Sequence, residues 1–163
     1  MRKDLEWEYA DAEVSEARVK EIGAQLGFYL PQDYIKCVKV NGGASVLPEE
    51  FNVEDVERCF GSLFSFDEKS SQYIVKKYEL YNSSLPRDIL PIAIDPAGNL
   101  LCFDYKDQQE KPVVVFWEHE NASEKETLMH DEGLTDEQPE ERARENLFYV
   151  AATFTAFLDK LHD

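Results

Sequence analysis

Three short apolar runs, separated by polar turns, constrain the fold of this chain more than any other feature. The runs are Ile89–Ile94, Leu100–Tyr105 and Val113–Trp117, and their β-branched and aromatic residues favour strands. The turn sequence Asp95-Pro96-Ala97-Gly98-Asn99 separates the first two runs, and the polar residues 106–111 separate the last two. Because such short connections join antiparallel neighbours, the sequence predicts a central β-meander.

Three helices are predicted before and beside this meander. The first covers Val14–Leu26 and is followed by Gly27 as a stop signal. The second begins at Pro31 and ends at Asn41-Gly42-Gly43, and the third covers Ser71–Tyr81. Two further short strands are predicted, over Ser45–Leu47 and Arg58–Phe66.

The C-terminal third divides into two unlike segments. Glu118–Glu145 holds 11 acidic and 3 basic residues with few apolar ones, so we predict a solvated acidic insertion. Apolar residues then recur at helical spacing and predict one long final helix that packs on the sheet. Its apolar positions are Leu147, Val150, Ala151, Phe154, Leu158 and Leu161.

The net charge excludes two classes of partner. With 34 acidic and 17 basic side chains the chain carries a formal charge of −17. Nucleic acids and anionic membranes are bound through clustered Lys and Arg, so we predict neither as a partner. A hydrophobic content of 43% that includes 12% aromatic residues is enough to form a core. The sequence therefore predicts one folded, acidic, soluble domain over residues 1–163.

The cysteines and the N-terminus favour the cytoplasm. Cys37, Cys59 and Cys102 are odd in number, and their spacing fits neither a disulfide framework nor a zinc knuckle. Residues 1–8 begin with basic side chains but lack the apolar core of a signal peptide. We expect a cytoplasmic protein with buried free thiols.

The sequence contains no recognisable catalytic or metal-binding motif. His119-Glu120 begins like a zinc-protease motif, but Ser123 stands where the second histidine is needed. His119 is therefore interpreted as a strand-end histidine bonded to a carboxylate. Asp95 and Asp104 flank one strand and could form an acid–base pair, although a capping role for Asp95 in its own turn is favoured. We predict no catalytic residue, no metal and no cofactor.

The order of several short segments resembles the SUKH superfamily, which includes yeast cell-wall-synthesis regulators and many bacterial immunity proteins. The similarity runs over about residues 14–161, with the acidic segment 118–145 as an insertion. The segments that carry it are Leu26-Gly27, Leu30-Pro31-Gln32-Asp33-Tyr34, Asn41-Gly42-Gly43, Leu85-Pro86, Leu90-Pro91-Ile92-Ala93, Gly98-Asn99-Leu100-Leu101-Cys102-Phe103-Asp104, Val113–Trp117 with Glu118-His119-Glu120, and Phe154-Thr155-Ala156-Phe157-Leu158.

The resemblance implies an α+β fold in which helices pack against a curved, mostly antiparallel sheet. It implies a non-enzymatic immunity protein that binds a cognate toxin, often a nuclease, for which an acidic surface suits a basic partner. A regulatory scaffold with several partners is the alternative, and an enzyme of unrecognised type is a third hypothesis. The predicted contact residues are Trp117, Glu118, Glu120, Glu124, Glu126, Asp131 and Glu132.

Overall fold

The structure is a computed structural model that describes residues 2–107, 109–119 and 143–163, and its fold is mixed α+β. The strands of these residues are β1 (Glu6–Glu8), β2 (Ser45–Leu47), β3 (Glu50–Val53), β4 (Val56–Cys59), β5 (Ser62–Leu63), β6 (Ile89–Ile94), β7 (Leu100–Asp104), β8 (Val113–Trp117) and β9 (Leu147–Ala151). The helices are α1 (Glu16–Leu26), α2 (Gln32–Asn41), α3 (Ile74–Tyr81) and α4 (Phe154–Asp159).

The main sheet is antiparallel, with neighbouring strands in the order β5-β6-β7-β8-β9. The predicted meander forms its centre, because Leu101 of β7 lies opposite Ala93 of β6 and Phe116 of β8. All three side chains are buried, so the middle of the sheet is apolar. The β-meander prediction is confirmed.

Two antiparallel ribbons make up the rest of the β-structure in the described residues. Strand β1 pairs with β2, and β3 pairs with β4 as a hairpin. The backbone N–H of Leu63 in β5 donates to the carbonyl of Ala44 at 2.9 Å, and the N–H of Gly43 donates to the carbonyl of Leu63 at 2.9 Å. These bonds attach the β1–β2 ribbon to the β5 edge of the main sheet.

A buried aromatic cluster fixes the helices on the sheet. The ring of Tyr34 in α2 lies 5.1 Å from that of Phe103 in β7 and 5.3 Å from that of Phe154 in α4. The carboxylate of Asp33 accepts hydrogen bonds from the backbone N–H of Thr155 at 2.9 Å and from its hydroxyl at 2.8 Å. Helices α2 and α4 are therefore joined by a polar contact beside an apolar one.

The C-terminal segment differs from the single long helix that the sequence predicts. Leu147–Ala151 form β9, which pairs with β8, and the helix spans only Phe154–Asp159. Thr153 begins that helix, since its side chain accepts a hydrogen bond from the N–H of Ala156 at 3.0 Å. Pairing with β8 decides the conformation of 147–151. The backbone groups of this segment are satisfied by the neighbouring strand, and this outweighs the helical spacing of its apolar residues.

The other elements agree with the sequence more closely. The first three predicted helices are confirmed with shifts of a few residues at their starts, and the strand over Ser45–Leu47 is confirmed. The predicted strand over Arg58–Phe66 is divided between β4 and β5, while β1 and β3 were not predicted. Among the described residues no helix has the length and apolar composition that crossing a membrane requires.

Candidate protein-binding surface

The β3–β4 hairpin has two chemically different faces. Its strands join through Glu54 and Asp55, and directly opposite residues share a face. The face turned towards the core, which we call the inner face, carries Phe51, Val53, Val56 and Arg58. The opposite face, which we call the outer face, carries Glu50, Asn52, Glu57 and Cys59.

The inner face is anchored by an aromatic side chain. Phe51 is fully buried, and its ring lies 6.3 Å from that of Phe116 in β8 and 5.2 Å from that of Phe157 in α4. Val53 is buried next to it on the same face. These contacts hold the hairpin against the main sheet, so its outer face is turned away from the core.

Arg58 ties the hairpin to the end of β8. Its guanidinium carbon lies 4.8 Å from the centroid of the Phe116 ring, a cation–π distance. One of its terminal nitrogens lies 3.8 Å from a carboxylate oxygen of Glu118. Both side chains are about a quarter exposed. The hairpin therefore lies next to the point at which the predicted acidic insertion begins.

The C-terminus of the chain pairs with the other side of β3. The backbone N–H of Glu50 donates to the carbonyl of His162 at 3.1 Å, and the N–H of His162 donates to the carbonyl of Glu50 at 2.8 Å. The imidazole Nε2 of His162 lies 2.8 Å from the side-chain oxygen of Asn52. One edge of the hairpin is thus covered by the chain itself.

Carboxylates are crowded around the outer face. The negative charge of Glu57 is the main cause that raises the pKa of Glu50, and burial and the charge of Glu49 add to it, while His162 opposes it. Burial raises the pKa of the Cys59 thiol, and the charges of Glu49, Glu50 and Glu57 raise it further. A raised carboxyl pKa means that ionisation is disfavoured by the surroundings. The outer face therefore holds like charges at an energetic cost.

The structure describes two of the predicted contact residues. Trp117 is 3% exposed at the end of β8, and its ring lies 6.1 Å from that of Tyr81, so it offers a partner almost no surface in this conformation. Glu118 is only partly buried and lies beside Arg58. The other predicted residues, Glu120, Glu124, Glu126, Asp131 and Glu132, lie outside the described residues, and their role stays a prediction.

The residues considered for acid–base chemistry have structural contacts. The carboxylate of Asp95 accepts hydrogen bonds from the backbone N–H of Ala97 at 2.9 Å and of Asn99 at 2.8 Å, which is the expected capping role. The carboxylate of Asp104 lies 3.1 Å from the guanidinium of Arg144. Asp95 and Asp104 each have a partner that accounts for their position.

His119 differs in detail from its prediction. Its Nε2 lies 2.8 Å from the backbone carbonyl of Ala97, so the partner of the ring is a carbonyl oxygen rather than the carboxylate that the sequence suggested. The backbone N–H of His119 donates to the side-chain oxygen of Asn99 at 3.0 Å. In the described part of the chain no group of three or more His, Cys, Asp or Glu side chains is arranged to hold a metal ion.

Sequence reasoning missed the hairpin surface. The alternation of Phe51 and Val53 with polar neighbours is a strand signal, but it extends over only four residues. The connecting Glu54-Asp55 lacks the glycine that marks a two-residue hairpin loop, although Glu54 takes a left-handed φ of 55°. The acids of this region contribute to the total charge, but nothing in the sequence places them on a common surface.

Comparison with known proteins decides the family. The sequence model of the SMI1/KNR4 family (SUKH-1) matches residues 13–160. The chain belongs to this family. Among individual proteins, one relative of the chain is the SPbeta prophage-derived uncharacterized protein YokK of Bacillus subtilis (strain 168), which is 26% identical over 125 residues. That similarity covers 63% of this chain and 61% of the relative, so it spans less than two thirds of the relative's own length. The superfamily resemblance of the sequence is thereby confirmed.

Proposed function

We propose that this SUKH-1 protein is a cytoplasmic immunity protein that neutralises a cognate toxin by direct, non-catalytic binding. Membership of the family supports a binding role, and the similarity to a prophage-derived protein is in keeping with a mobile toxin locus. The structural contacts of Asp95 and His119 support a function without catalysis.

The main support for this proposal is the crowding of carboxylates on the outer face. Repulsion between Glu50 and Glu57 is a cost in the unbound protein. A basic protein surface would relieve that cost on binding, so the same charges that disfavour the unbound state favour the complex. They would also raise the rate of encounter with a basic partner through long-range attraction.

We extend the proposed contact surface from the predicted segment to the hairpin. Glu118 lies at the start of that segment and is 3.8 Å from Arg58 of β4. Acidic residues that follow Glu118 in sequence and those on the outer face would then act on the same partner. Because Trp117 is buried, the proposal relies on exposed hairpin side chains rather than on this ring.

The direct test is co-expression with the toxin encoded beside the gene. We expect the wild-type protein to relieve growth arrest and to form an isolable complex with the toxin. The variant Glu57→Gln should protect less well, while Glu110→Gln, in the exposed β7–β8 connection, is the matched control that should protect fully. Growth arrest that the wild-type protein does not relieve would contradict the proposed function.

The alternative regulatory function makes a different prediction. A scaffold protein should co-purify with several unrelated partners, and no toxin gene should lie beside its own. Affinity purification from the native cell, read together with the neighbouring genes, separates the two functions.

A further inference from the structure

The outward edge of β4 has backbone groups that pair with nothing in the described residues. In the hairpin register Phe51 lies opposite Arg58, and the N–H of Phe60 donates to the carbonyl of Glu49 at 2.7 Å. These pairs bond across the hairpin, so the alternate residues Glu57 and Cys59 direct their N–H and C=O groups away from β3. Throughout the described ranges no hydrogen bond reaches those four groups.

The pairing of β3 supports this assignment. Glu50 lies opposite Cys59, and its backbone groups also point out of the hairpin, where they bond to His162. The backbone N–H and C=O groups of its partner Cys59 must therefore point out of the hairpin on the opposite side. The β3 side is closed by His162, and no described residue closes the β4 side, which is the arrangement to which a further strand can add.

We propose that the open edge of β4 binds an extended basic segment of the partner protein as an additional strand. This inference rests on the proposed function, because it specifies how the hairpin contacts the toxin. Main-chain hydrogen bonds to Glu57 and Cys59 would supply register and affinity, and side chains on the two faces would supply specificity.

The acidic charge of the hairpin determines which kind of strand can pair with β4. Residues 49–59 contain five acidic side chains and one basic one, and that base, Arg58, already contacts Phe116 and Glu118. A second copy of this chain would bring the same acids together and be repelled. A segment with alternating basic and apolar residues fits instead. Its basic side chains would lie beside Glu57 on the outer face, and its apolar ones beside Val56, which is 51% exposed.

The experiment uses the full-length protein and a synthetic peptide in which lysine alternates with valine. Binding is measured by fluorescence anisotropy as a function of salt concentration. The hairpin variants Glu57→Gln and Glu57→Pro both remove the charge, but only proline also removes the outward N–H. A peptide in which glutamate replaces lysine, and a lysine peptide with N-methylated alternate residues, are the matched probes. Thermal unfolding of each variant reports whether the hairpin is retained.

We expect the lysine–valine peptide to bind the wild-type protein, with affinity that falls as salt rises. Glu57→Gln should weaken binding of this peptide moderately, and Glu57→Pro should weaken it by at least about tenfold more. The glutamate and N-methylated peptides should not bind the wild-type protein. Equal binding to the two variants, or equal binding of the N-methylated peptide, would overturn strand addition. So would a failure of the wild-type protein to bind the peptide, or dimerisation of the chain that Glu57→Pro abolishes.

The same variants separate this inference from the proposed function. If the wild-type protein neutralises the toxin and Glu57→Pro does so equally well, strand addition is overturned while the immunity function stands. If the wild-type protein relieves no arrest, the proposed function fails whatever the peptide does.

Discussion

Glu50 and Glu57 lie diagonally across the β3–β4 hairpin, and the negative charge of Glu57 raises the pKa of Glu50. The two strands that place these carboxylates together are fixed by Phe51 on the opposite face. The repulsion is thus fixed by the pairing of two strands rather than by a loop. Such an arrangement suits a surface that is to meet positive charge.

Removal of this repulsion should stabilise the free protein. The pKa of Glu50 is higher in the folded protein than in the unfolded one, because of the charge of Glu57. The folded protein is therefore more stable at low pH, where Glu50 is protonated, and loses this stability as pH rises through the folded pKa. We expect Glu57→Gln to be more stable than wild type at pH 7 and to lose most of this advantage near pH 4. Urea unfolding at both values measures the difference.

Glu110→Gln is the control for a general effect of net charge. It removes one carboxylate from the β7–β8 connection, so it should share any benefit that comes only from a lower total charge. A gain in Glu57→Gln no larger than that in Glu110→Gln would contradict the local explanation.

Arg58 should stabilise the hairpin mainly through its aromatic contact. Its guanidinium lies 4.8 Å from the Phe116 centroid, whereas its 3.8 Å separation from Glu118 is long for an ion pair. We expect Arg58→Ala to lower the free energy of unfolding by about 1–2 kcal/mol and Glu118→Gln to lower it by about 0.5 kcal/mol or less. A double-mutant cycle measured by chemical denaturation separates the two contacts, and a larger loss in Glu118→Gln would reverse their ranking.

Cys59 should be the first of the three thiols to react. Burial raises the pKa of Cys37 to about 11 and also raises that of Cys102, and both side chains are buried in the core. Cys59 is only partly buried. That burial is nevertheless the main cause that raises the pKa of its thiol, and the charges of the neighbouring carboxylates add to it. We therefore expect slow labelling of Cys59 at pH 8 and faster labelling in Glu57→Gln, measured by mass spectrometry of alkylated peptides. Unchanged labelling in that variant would show that Glu57 does not act on the thiol.

The sequence predicts elements well where one signal dominates. The strand over Ile89–Ile94 and that over Val113–Trp117 are observed with the predicted bounds, because each is a continuous apolar run next to turn residues. The apolar spacing of segment 147–151 predicts a helix, yet the backbone of this segment pairs with β8. Long-range pairing of this kind has no local signature. The hairpin surface was missed for a different reason. Its strand signal is only four residues long and its loop lacks glycine, so the sequence does not indicate the pairing that brings Glu50 and Glu57 together.

Trp117 and Glu118 provide the last test, because these sequence neighbours should have opposite effects. The Trp117 ring is buried, and its Nε1 has no hydrogen-bond partner in the part of the chain that the structure describes. We expect Trp117→Phe to lower the free energy of unfolding by about 1–2 kcal/mol through reduced packing and to leave toxin neutralisation intact. Glu118→Gln should lower stability by no more than about 0.5 kcal/mol but weaken neutralisation, since it removes a negative charge beside the hairpin. Unfolding curves and co-expression growth assays measure the two quantities separately. Loss of neutralisation in a stably folded Trp117→Phe would instead make this ring a contact residue, which would require β8 to expose it on binding.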